Sequence, residues 1–168
     1  MGVAGAVSFA AVASRAAADA SGEAALTGHF LAGKDVLGGG AITDVTLAVG
    51  PVRFGGAIGA AAFSSDVPEK SRAFMPLAFS LGLVLGDLRA GDTVGFDARV
   101  RAGMWGGGVS DRLTAGGFFS TGAFLTLRLS ERARFAVGAD GWFLLGGEPI
   151  AAIAPGAGFA WSFGGAAP

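Results

Sequence analysis

The sequence predicts an all-β fold, an antiparallel up-and-down transmembrane β-barrel of about eight strands. Only 15% of the 168 residues are charged, whereas 52% are hydrophobic; soluble proteins carry about 25% charged residues. Apolar residues recur with a period of two along many segments of the chain, which is the period of a β-strand. The less apolar face of these segments consists mainly of Gly, Ala and Ser rather than Lys and Glu. A membrane-facing sheet accounts for all three observations.

The composition also excludes several classes of site. The chain has no cysteine and one histidine, which rules out disulfides, cysteine nucleophiles and thiolate zinc sites. Its formal net charge is −1, whereas nucleic-acid binding requires a basic surface. We therefore expect no metal, no cofactor and no nucleic acid. The length fits a single domain comprising residues 1–168.

A membrane helix does not explain the shortage of charge. A spanning helix needs about 20 mostly apolar residues, and the uncharged stretches inside the chain are shorter than that. The longer tail after Glu148 contains Pro149 and Pro155. The N-terminal segment MGVAGAVSFAAVASR has an apolar centre but no positively charged beginning. We read it as a mature or truncated start rather than as a secretory signal.

Eight segments carry the alternation. Five are pronounced, at 75–86, 94–105, 116–129, 133–145 and 153–163, and three are weaker, at 3–9, 44–49 and 52–59. Most are long enough for a tilted membrane strand, which needs about 9–11 residues. Each is therefore assigned to one strand of the barrel.

The connectors alternate in length along the chain. Short turns are predicted at 50–51, 87–93 and 130–132, and longer polar loops at 15–39, 64–74, 106–115 and 146–149. Short turns at one end and longer loops at the other are typical of outer-membrane barrels, and an even strand number puts both termini at the short-turn end. Residues 22–36 fit an outer loop, an extension of strand two or another strand. A ninth strand would break the parity, so we favour the loop or the extension; residues 164–168 form a short tail.

Charged residues lie on the face that is rich in small residues. In a membrane barrel this face lines the lumen, whereas in an aqueous sheet the apolar face is the buried one. The predicted lumen charge network comprises Asp44, Arg53, Asp97, Arg99, Arg101, Arg128, Arg134 and Asp140. We expect Arg53, Arg128 and Arg134 near the short turns and Asp44 and Arg101, with their neighbours Arg99 and Asp140, near mid-height. We favour an internal salt-bridge plug, because eight strands leave no room for a wide pore. An ion pathway or gate is the alternative.

Aromatic residues cluster near the predicted strand ends, as in the aromatic girdles of membrane barrels. The predicted girdle residues are Phe54, Phe63, Trp105, Phe119, Phe135 and Phe143. Strict alternation would instead turn Trp105 inward. The alternative for the phenylalanines is bulk in the core of a β-sandwich.

The last predicted strand carries the most specific motif. Residues 157–163 read AGFAWSF, with Phe159, Trp161 and Phe163 on one face. This segment resembles the C-terminal signal of bacterial outer-membrane barrels, and the whole layout resembles the small OmpA/OmpX-type barrels. Two departures are the five residues that follow Phe163 and a proline, Pro155, that forfeits a ladder hydrogen bond. The resemblance implies a bacterial outer-membrane location, contact with outer-membrane lipid and lipopolysaccharide, and recognition by the barrel-assembly machinery.

Three functions remain open at this stage. The favoured one is a non-enzymatic outer-membrane barrel with a structural or surface-binding role through its loops, whose ligand the loop sequences do not specify. The second is a lipid A-modifying enzyme, since barrels of similar architecture use a His with a Ser and an acid; here His29, Ser21 and Glu23 are the candidates. The third is a soluble β-barrel with an apolar ligand, against which a charged lumen argues.

Overall fold

The strands of the protein close into an eight-stranded antiparallel barrel. A computed structural model describes residues 21–85, 93–109 and 112–164. Each strand pairs with the next along the chain, and the last pairs with the first. The strands are β1 (Ser21–Gly33), β2 (Val36–Val49), β3 (Val52–Ser64), β4 (Arg72–Leu85), β5 (Val94–Val109), β6 (Arg112–Arg128), β7 (Ala133–Leu144) and β8 (Ile150–Phe163). The predicted fold class is confirmed. The described residues include no helix that is long and apolar enough to cross a membrane.

The first strand is not the one that the sequence predicted. The segment 3–9 lies outside the described residues, and the segment expected as a loop forms β1 instead. This strand pairs with β2 from Ser21–Ala48 to Gly33–Val36 and with β8 along its other edge. A two-residue turn at 34–35, with Asp35 at φ 60, joins it to β2. The alternation is hard to see here because Ala and Gly occupy positions on both faces of the strand.

The two ends of the barrel differ less than predicted. At one end, the turn end, β1 begins, β8 ends and connectors lie at 50–51 and 129–132. At the other, the loop end, connectors lie at 34–35, 65–71 and 145–149, and β5 and β6 extend to Val109 and from Arg112. The strands thus occupy most of the loops expected at 15–39 and 106–115. A single turn of 3₁₀ helix, Pro68–Lys70, lies in the connector between β3 and β4.

The outer wall is apolar. Large hydrophobic side chains such as Leu77, Phe79 and Ile153 are between 58% and 67% exposed. No outward-facing position of the described strands carries a charge, whereas most of the charged side chains on the strands are buried. This polarity is the reverse of that in a water-soluble sheet and suits a wall that faces lipid.

The lumen has two layers. Its loop-end half is filled by apolar side chains, and the residues of this aromatic plug include Leu31, Phe63, Phe74, Trp105, Phe118, Trp142 and Leu144. Phe74 lies at its centre, with its ring 5.4 Å from that of Phe63, 6.1 Å from that of Trp105 and 6.2 Å from that of Trp142. The other half contains the buried charged side chains except Arg72, which lies at the loop end. The lumen is therefore a packed interior, as expected for a narrow barrel.

Proline interrupts two ladders without ending a strand, one at Pro76 between β3 and β4 and one at Pro155 between β1 and β8. Between β1 and β8 the pairing passes from His29–Gly156 to Ala32–Ile153, with Pro155 in the gap. Pro155 still pairs with Ala139 on β7. A proline has no N–H for a ladder hydrogen bond. The missing pairs therefore lie on the edge that faces β1, where this N–H would be the donor. The strand continues because its other neighbour holds it.

Candidate functional site

The charged layer of the lumen begins with three residues of β5. Asp97, Arg99 and Arg101 occupy alternate positions and are all buried. Because alternate residues of a strand share one face, these three form a row that runs up the inner wall. The row brings two guanidinium groups opposite the acids of other strands.

Arg101 is the centre of the network. Its Nε donates to Oδ1 of Asp44 at 2.8 Å, and its Nη2 donates to Oδ2 of the same carboxylate at 2.8 Å. The remaining Nη1 donates to Oδ2 of Asp140 at 3.1 Å and to Oγ of Ser120 at 3.2 Å. Ser80 donates to Asp44 from β4. The Arg101 side chain is completely buried, and this two-pronged geometry is the arrangement in which arginine best replaces its hydration.

Arg99 lies one step closer to the turn end. Its Nη2 donates to Oδ2 of Asp97 at 2.8 Å, and its Nη1 lies 3.5 Å from Oδ2 of Asp44. The guanidinium carbon lies 4.2 Å from the centre of the Phe124 ring, within the range of a cation–π contact. Arg99 therefore links the charged layer to an aromatic side chain of the lumen.

A second cluster closes the network at the turn end. Glu23 accepts from Arg134 and forms an ion pair with Arg53, whose Nε lies 3.2 Å from Oε1. Arg128 is half-buried at the last position of β6. Glu23 was not among the residues predicted for the network, because its segment was expected to be a loop. The polar residues at 23, 27 and 29, with the apolar Leu26 and Phe30 at positions of the opposite parity, were the signal that could have placed Glu23 on the inner face.

His29 does not lie in an outer loop. Its ring is buried near mid-height, with Nε2 3.4 Å from Oδ2 of Asp140 and Nδ1 3.1 Å from the carbonyl oxygen of Ala154. The centre of the His29 ring lies 5.2 Å from that of the Trp142 ring and 6.3 Å from that of the Phe124 ring. Because a carbonyl oxygen only accepts hydrogen bonds, Nδ1 is the donor in this contact.

The grouping of His29 with Ser21 and Glu23 was therefore wrong. Glu23 lies near the turn end and is held by Arg53 and Arg134. Along a strand the rise is about 3.3 Å per residue, so six residues separate Glu23 from His29 by far more than a hydrogen bond. A catalytic triad requires its members in contact, and these three are not.

Two predicted girdle residues also lie elsewhere. Phe63 is 5% exposed and Trp105 is 1% exposed, and both belong to the aromatic plug. The prediction used their nearness to strand ends. It overlooked that Phe63 lies nine positions after the outward Phe54, and an odd offset puts two residues of a strand on opposite faces. Phe54, Phe119 and Phe143 are exposed on the outer wall, and Phe135 is half-exposed with its ring 5.3 Å from that of Phe159.

The residues of the C-terminal motif face outward. Phe159, Trp161 and Phe163 are exposed on the outer wall of β8. The Phe163 ring covers Gly22 of β1 so closely that a side chain at this glycine would overlap it. The last aromatic residue thus packs across the seam at which the barrel closes.

Solved structures with this architecture exist. No protein-family model matches the chain, and no curated protein matches it in sequence. The superposition with Neisserial surface protein A (NspA) covers 86% of this chain and 97% of the NspA chain, with a TM-score of 0.56 and 10% sequence identity. The N-terminal β-barrel domain of Pseudomonas aeruginosa OprF superposes on 84% and 97%, with a TM-score of 0.54 and 12% identity. The chain has the fold of the small outer-membrane β-barrels. At these identities the likeness concerns the fold alone.

Within this barrel fold, the two clusters of the charged layer together contact every strand of the wall. Their contacts include Glu23 of β1, Asp44 of β2, Arg53 of β3, Ser80 of β4, Arg101 of β5, Ser120 of β6, Asp140 of β7 and the Ala154 carbonyl of β8. The described residues contain no group of three His, Cys, Asp or Glu side chains that could hold a metal ion. The printed contacts pair buried carboxylates of the lumen with buried arginines.

Proposed function

We propose that the protein spans a bacterial outer membrane as a closed structural barrel. The observation that carries this proposal is the polarity of the wall: none of the outward positions on the described strands is charged, while Arg101 and Asp140 are completely buried inside. The described strands have between 12 and 17 residues, and a tilted membrane strand needs about 9–11. Such a wall is stable in lipid and unstable in water.

The filled lumen supports a role without conduction. The aromatic plug occupies the loop-end half, and ion pairs occupy the rest. At the top of the plug, Arg72 lies 5.1 Å from the Trp105 ring and donates to the carbonyl oxygens of Glu69 and Glu148. This arginine ties the connector 65–71 to the connector 145–149 across the end of the barrel. A gate would require these contacts to break together.

A structural role fits the loop end better than adhesion does. The connectors at 34–35, 65–71 and 145–149 are short, and the one at 65–71 is held by its own hydrogen bonds, such as that from the Ser65 amide to Oγ of Ser71 at 2.9 Å. Binding function is carried mainly by loops, and outer-membrane barrels generally have longer loops at this end. We also propose a non-enzymatic role, because in the described part of the chain no serine or threonine hydroxyl forms a hydrogen bond with the buried His29 ring. Outer-membrane lipid, lipopolysaccharide and the barrel-assembly machinery are the partners that this proposal implies.

The experiment combines folding and localisation. The protein is folded into detergent micelles and compared, boiled and unboiled, on SDS gels, because a closed barrel has no free edge and resists SDS until heated. The same chain, expressed in a Gram-negative host with an export signal, is followed through membrane fractionation. We expect a mobility shift that is lost on boiling and recovery with the outer membrane. Equal mobilities together with a protein that stays soluble without detergent would contradict the proposal.

A further inference from the structure

The His29 side chain bridges the interrupted part of the seam between β1 and β8. The backbone pairing of these two strands stops at His29–Gly156 and resumes at Ala32–Ile153. Inside this gap, Nδ1 of His29 donates to the carbonyl oxygen of Ala154 at 3.1 Å. The side chain therefore supplies a hydrogen bond between the two strands where the ladder pairs are missing.

The His29 ring and the Asp140 carboxylate both occupy space that glycines leave open. A Cβ at Gly156 would lie 2.6 Å from Nδ1 of His29, and a Cβ at Gly122 would overlap Oδ1 of Asp140. The Trp142 ring covers another side of the imidazole, with its centre 5.2 Å away. The two polar groups are thus packed against each other with little room to turn away.

Two hydrogen-bond acceptors face each other between His29 and Asp140 unless a proton lies between them. Because Nδ1 carries the hydrogen that is donated to Ala154, Nε2 of a neutral ring has only a lone pair. Nε2 lies 3.4 Å from Oδ2 of Asp140, and both side chains are completely buried. A buried lone pair beside a buried carboxylate is unfavourable, because no water hydrates either atom. One additional proton, on either atom, converts this repulsion into a hydrogen bond.

Asp140 receives fewer hydrogen bonds than the neighbouring Asp44. Nε and Nη2 of Arg101 both donate to Asp44, whereas Nη1 is divided between Asp140 and Ser120. Ser80 gives Asp44 a further hydrogen bond. Oδ1 of Asp140 has no hydrogen-bond partner in the described part of the chain. A carboxylate with few donors gains most from a proton, so Asp140 is suited to share one with His29.

The remaining surroundings of the His29 ring limit the pair to a single shared proton. The other charged groups near the ring are Arg101 and Arg99 of β5, and Asp44 of β2 lies beyond them in contact with both. β6 faces the ring with Phe124 and β8 with the Ala154 carbonyl. The two guanidinium groups oppose any second positive charge at this point.

We propose that His29 and Asp140 share one proton in the folded protein and that this proton makes closure of the barrel sensitive to pH. His29 belongs to β1, Asp140 to β7 and Ala154 to β8, so the protonated pair joins three consecutive strands across the seam. Loss of the proton restores the repulsion and pushes the ring away from Asp140. The barrel is therefore closed most firmly at neutral pH and loosens in alkaline solution. This inference requires the closed barrel but not its location in a membrane.

The pH dependence of unfolding tests the proposal. The chain has one histidine, no cysteine and no tyrosine, so few other groups titrate between about pH 7 and 9. In this range an unfolded chain has a neutral histidine and an ionised aspartate, and the folded state binds one proton more. Stability is therefore lost as the pH rises. The unfolding equilibrium constant, measured by urea titration in detergent micelles, should increase about ten-fold per pH unit until the folded pair loses its proton.

Two variants remove the shared proton. His29→Gln cannot take one up, and Asp140→Asn lacks the carboxylate that shares it, so each should abolish the slope above pH 7. Asp97→Asn is the control: it removes a buried carboxylate of the same layer that is bound to Arg99, and it should keep the slope. Each variant is first shown to fold by its heat-dependent gel shift.

Nitrogen NMR of the unaltered protein provides a reading that needs no variant. The single histidine gives one pair of ring-nitrogen signals, and these should change at the pH at which the unfolding constant stops rising. Ring signals that change at the same pH as those of a free histidine would contradict the proposal.

The possible outcomes separate this proposal from the proposed function. An unfolding constant that is independent of pH between about 7 and 9, or a slope that His29→Gln retains, would show that the pair holds no proton. Stability that falls on acidification through about pH 6.5, and only when His29 is present, would overturn the proposal in favour of a neutral buried ring. Absence of a gel shift in the unaltered protein would instead mean that the closed barrel itself is wrong.

Discussion

Arg101 and Asp44 form a two-pronged ion pair across the lumen, with both donor–acceptor distances at 2.8 Å. The two residues are 57 positions apart in the chain and meet only because the barrel closes. The pair compensates for the desolvation of both groups through near-ideal geometry, and Ser80, Ser120 and Asp140 supply the remaining hydrogen bonds. Removing one partner of a buried ion pair destabilises a protein strongly, whereas replacing the whole pair with apolar residues often costs little.

Arg101→Met should therefore lower the free energy of unfolding by about 3–5 kcal/mol, because it leaves the carboxylates of Asp44 and Asp140 buried without their arginine. Urea unfolding in lipid vesicles, followed by tryptophan fluorescence, measures the change. Arg112→Met, at an exposed position of the loop end, is the control and should stay within about 0.5 kcal/mol. Equal effects of the two substitutions would show that the network contributes little.

A charge on the outer wall should be tolerated only near its borders. Phe79 lies near the middle of β4 and is 58% exposed, whereas Leu85 is the last residue of the same strand. Phe79→Arg should cost about 2–4 kcal/mol of unfolding free energy and Leu85→Arg at most about 1 kcal/mol, because lipid penalises charge most at its midplane. The same urea titration measures both. An identical small cost at the two positions would indicate that this wall faces water.

Gly122 should not accept a side chain. A Cβ at this position would overlap Oδ1 of Asp140, the acid that holds both Arg101 and His29. Gly122→Ala should therefore displace the carboxylate and cost about 1–3 kcal/mol of stability. Gly106→Ala is the matched control, because nothing lies within 4 Å of a Cβ there, and it should be neutral or slightly stabilising. A neutral Gly122→Ala would mean that Asp140 has room to move.

The aromatic residue at the end of β8 should matter for closure. Phe163→Ala removes the ring that covers Gly22 and should lower the free energy of unfolding by about 1 kcal/mol, the scale of a cross-strand aromatic contact. Outer-membrane yield in cells should fall in parallel, while Phe163→Trp should preserve both. If refolding in vesicles is unchanged and only the cellular yield falls, the ring acts in recognition by the assembly machinery and not in closure.

His29 should act as a packing residue. Its buried ring contacts Trp142 and Phe124, so His29→Ala should cost about 2–4 kcal/mol of stability. The unaltered protein, incubated in detergent with purified lipid A, should release no fatty acid, as judged by mass spectrometry of the lipid. Release by the unaltered protein that disappears in His29→Ala would restore the enzymatic interpretation.

The sequence by itself determined the type of wall and most of its elements. A period of two requires no knowledge of the neighbouring strand, because each residue's face follows from its position in its own strand. For that reason the pattern around Phe79, Arg101 and Phe163 was sufficient to predict an apolar exterior and a charged interior. The same rule also applied to Phe63, whose position was mispredicted only because its nearness to a loop was given more weight than its parity.

Tertiary structure decided which strands meet and what the lumen contains. The alternation within Ser21–Gly33 is too weak to identify it as a strand from its sequence. It forms β1 because closure of the barrel pairs it with both β2 and β8. The partners of Glu23 and His29 lie far away in the sequence: Arg134 is 111 residues from Glu23, and Ala154 is 125 residues from His29. The separation of an aromatic plug from a charged layer likewise depends on the register between neighbouring strands, because the register sets the height of each side chain in the lumen. The sequence of one strand does not specify that register.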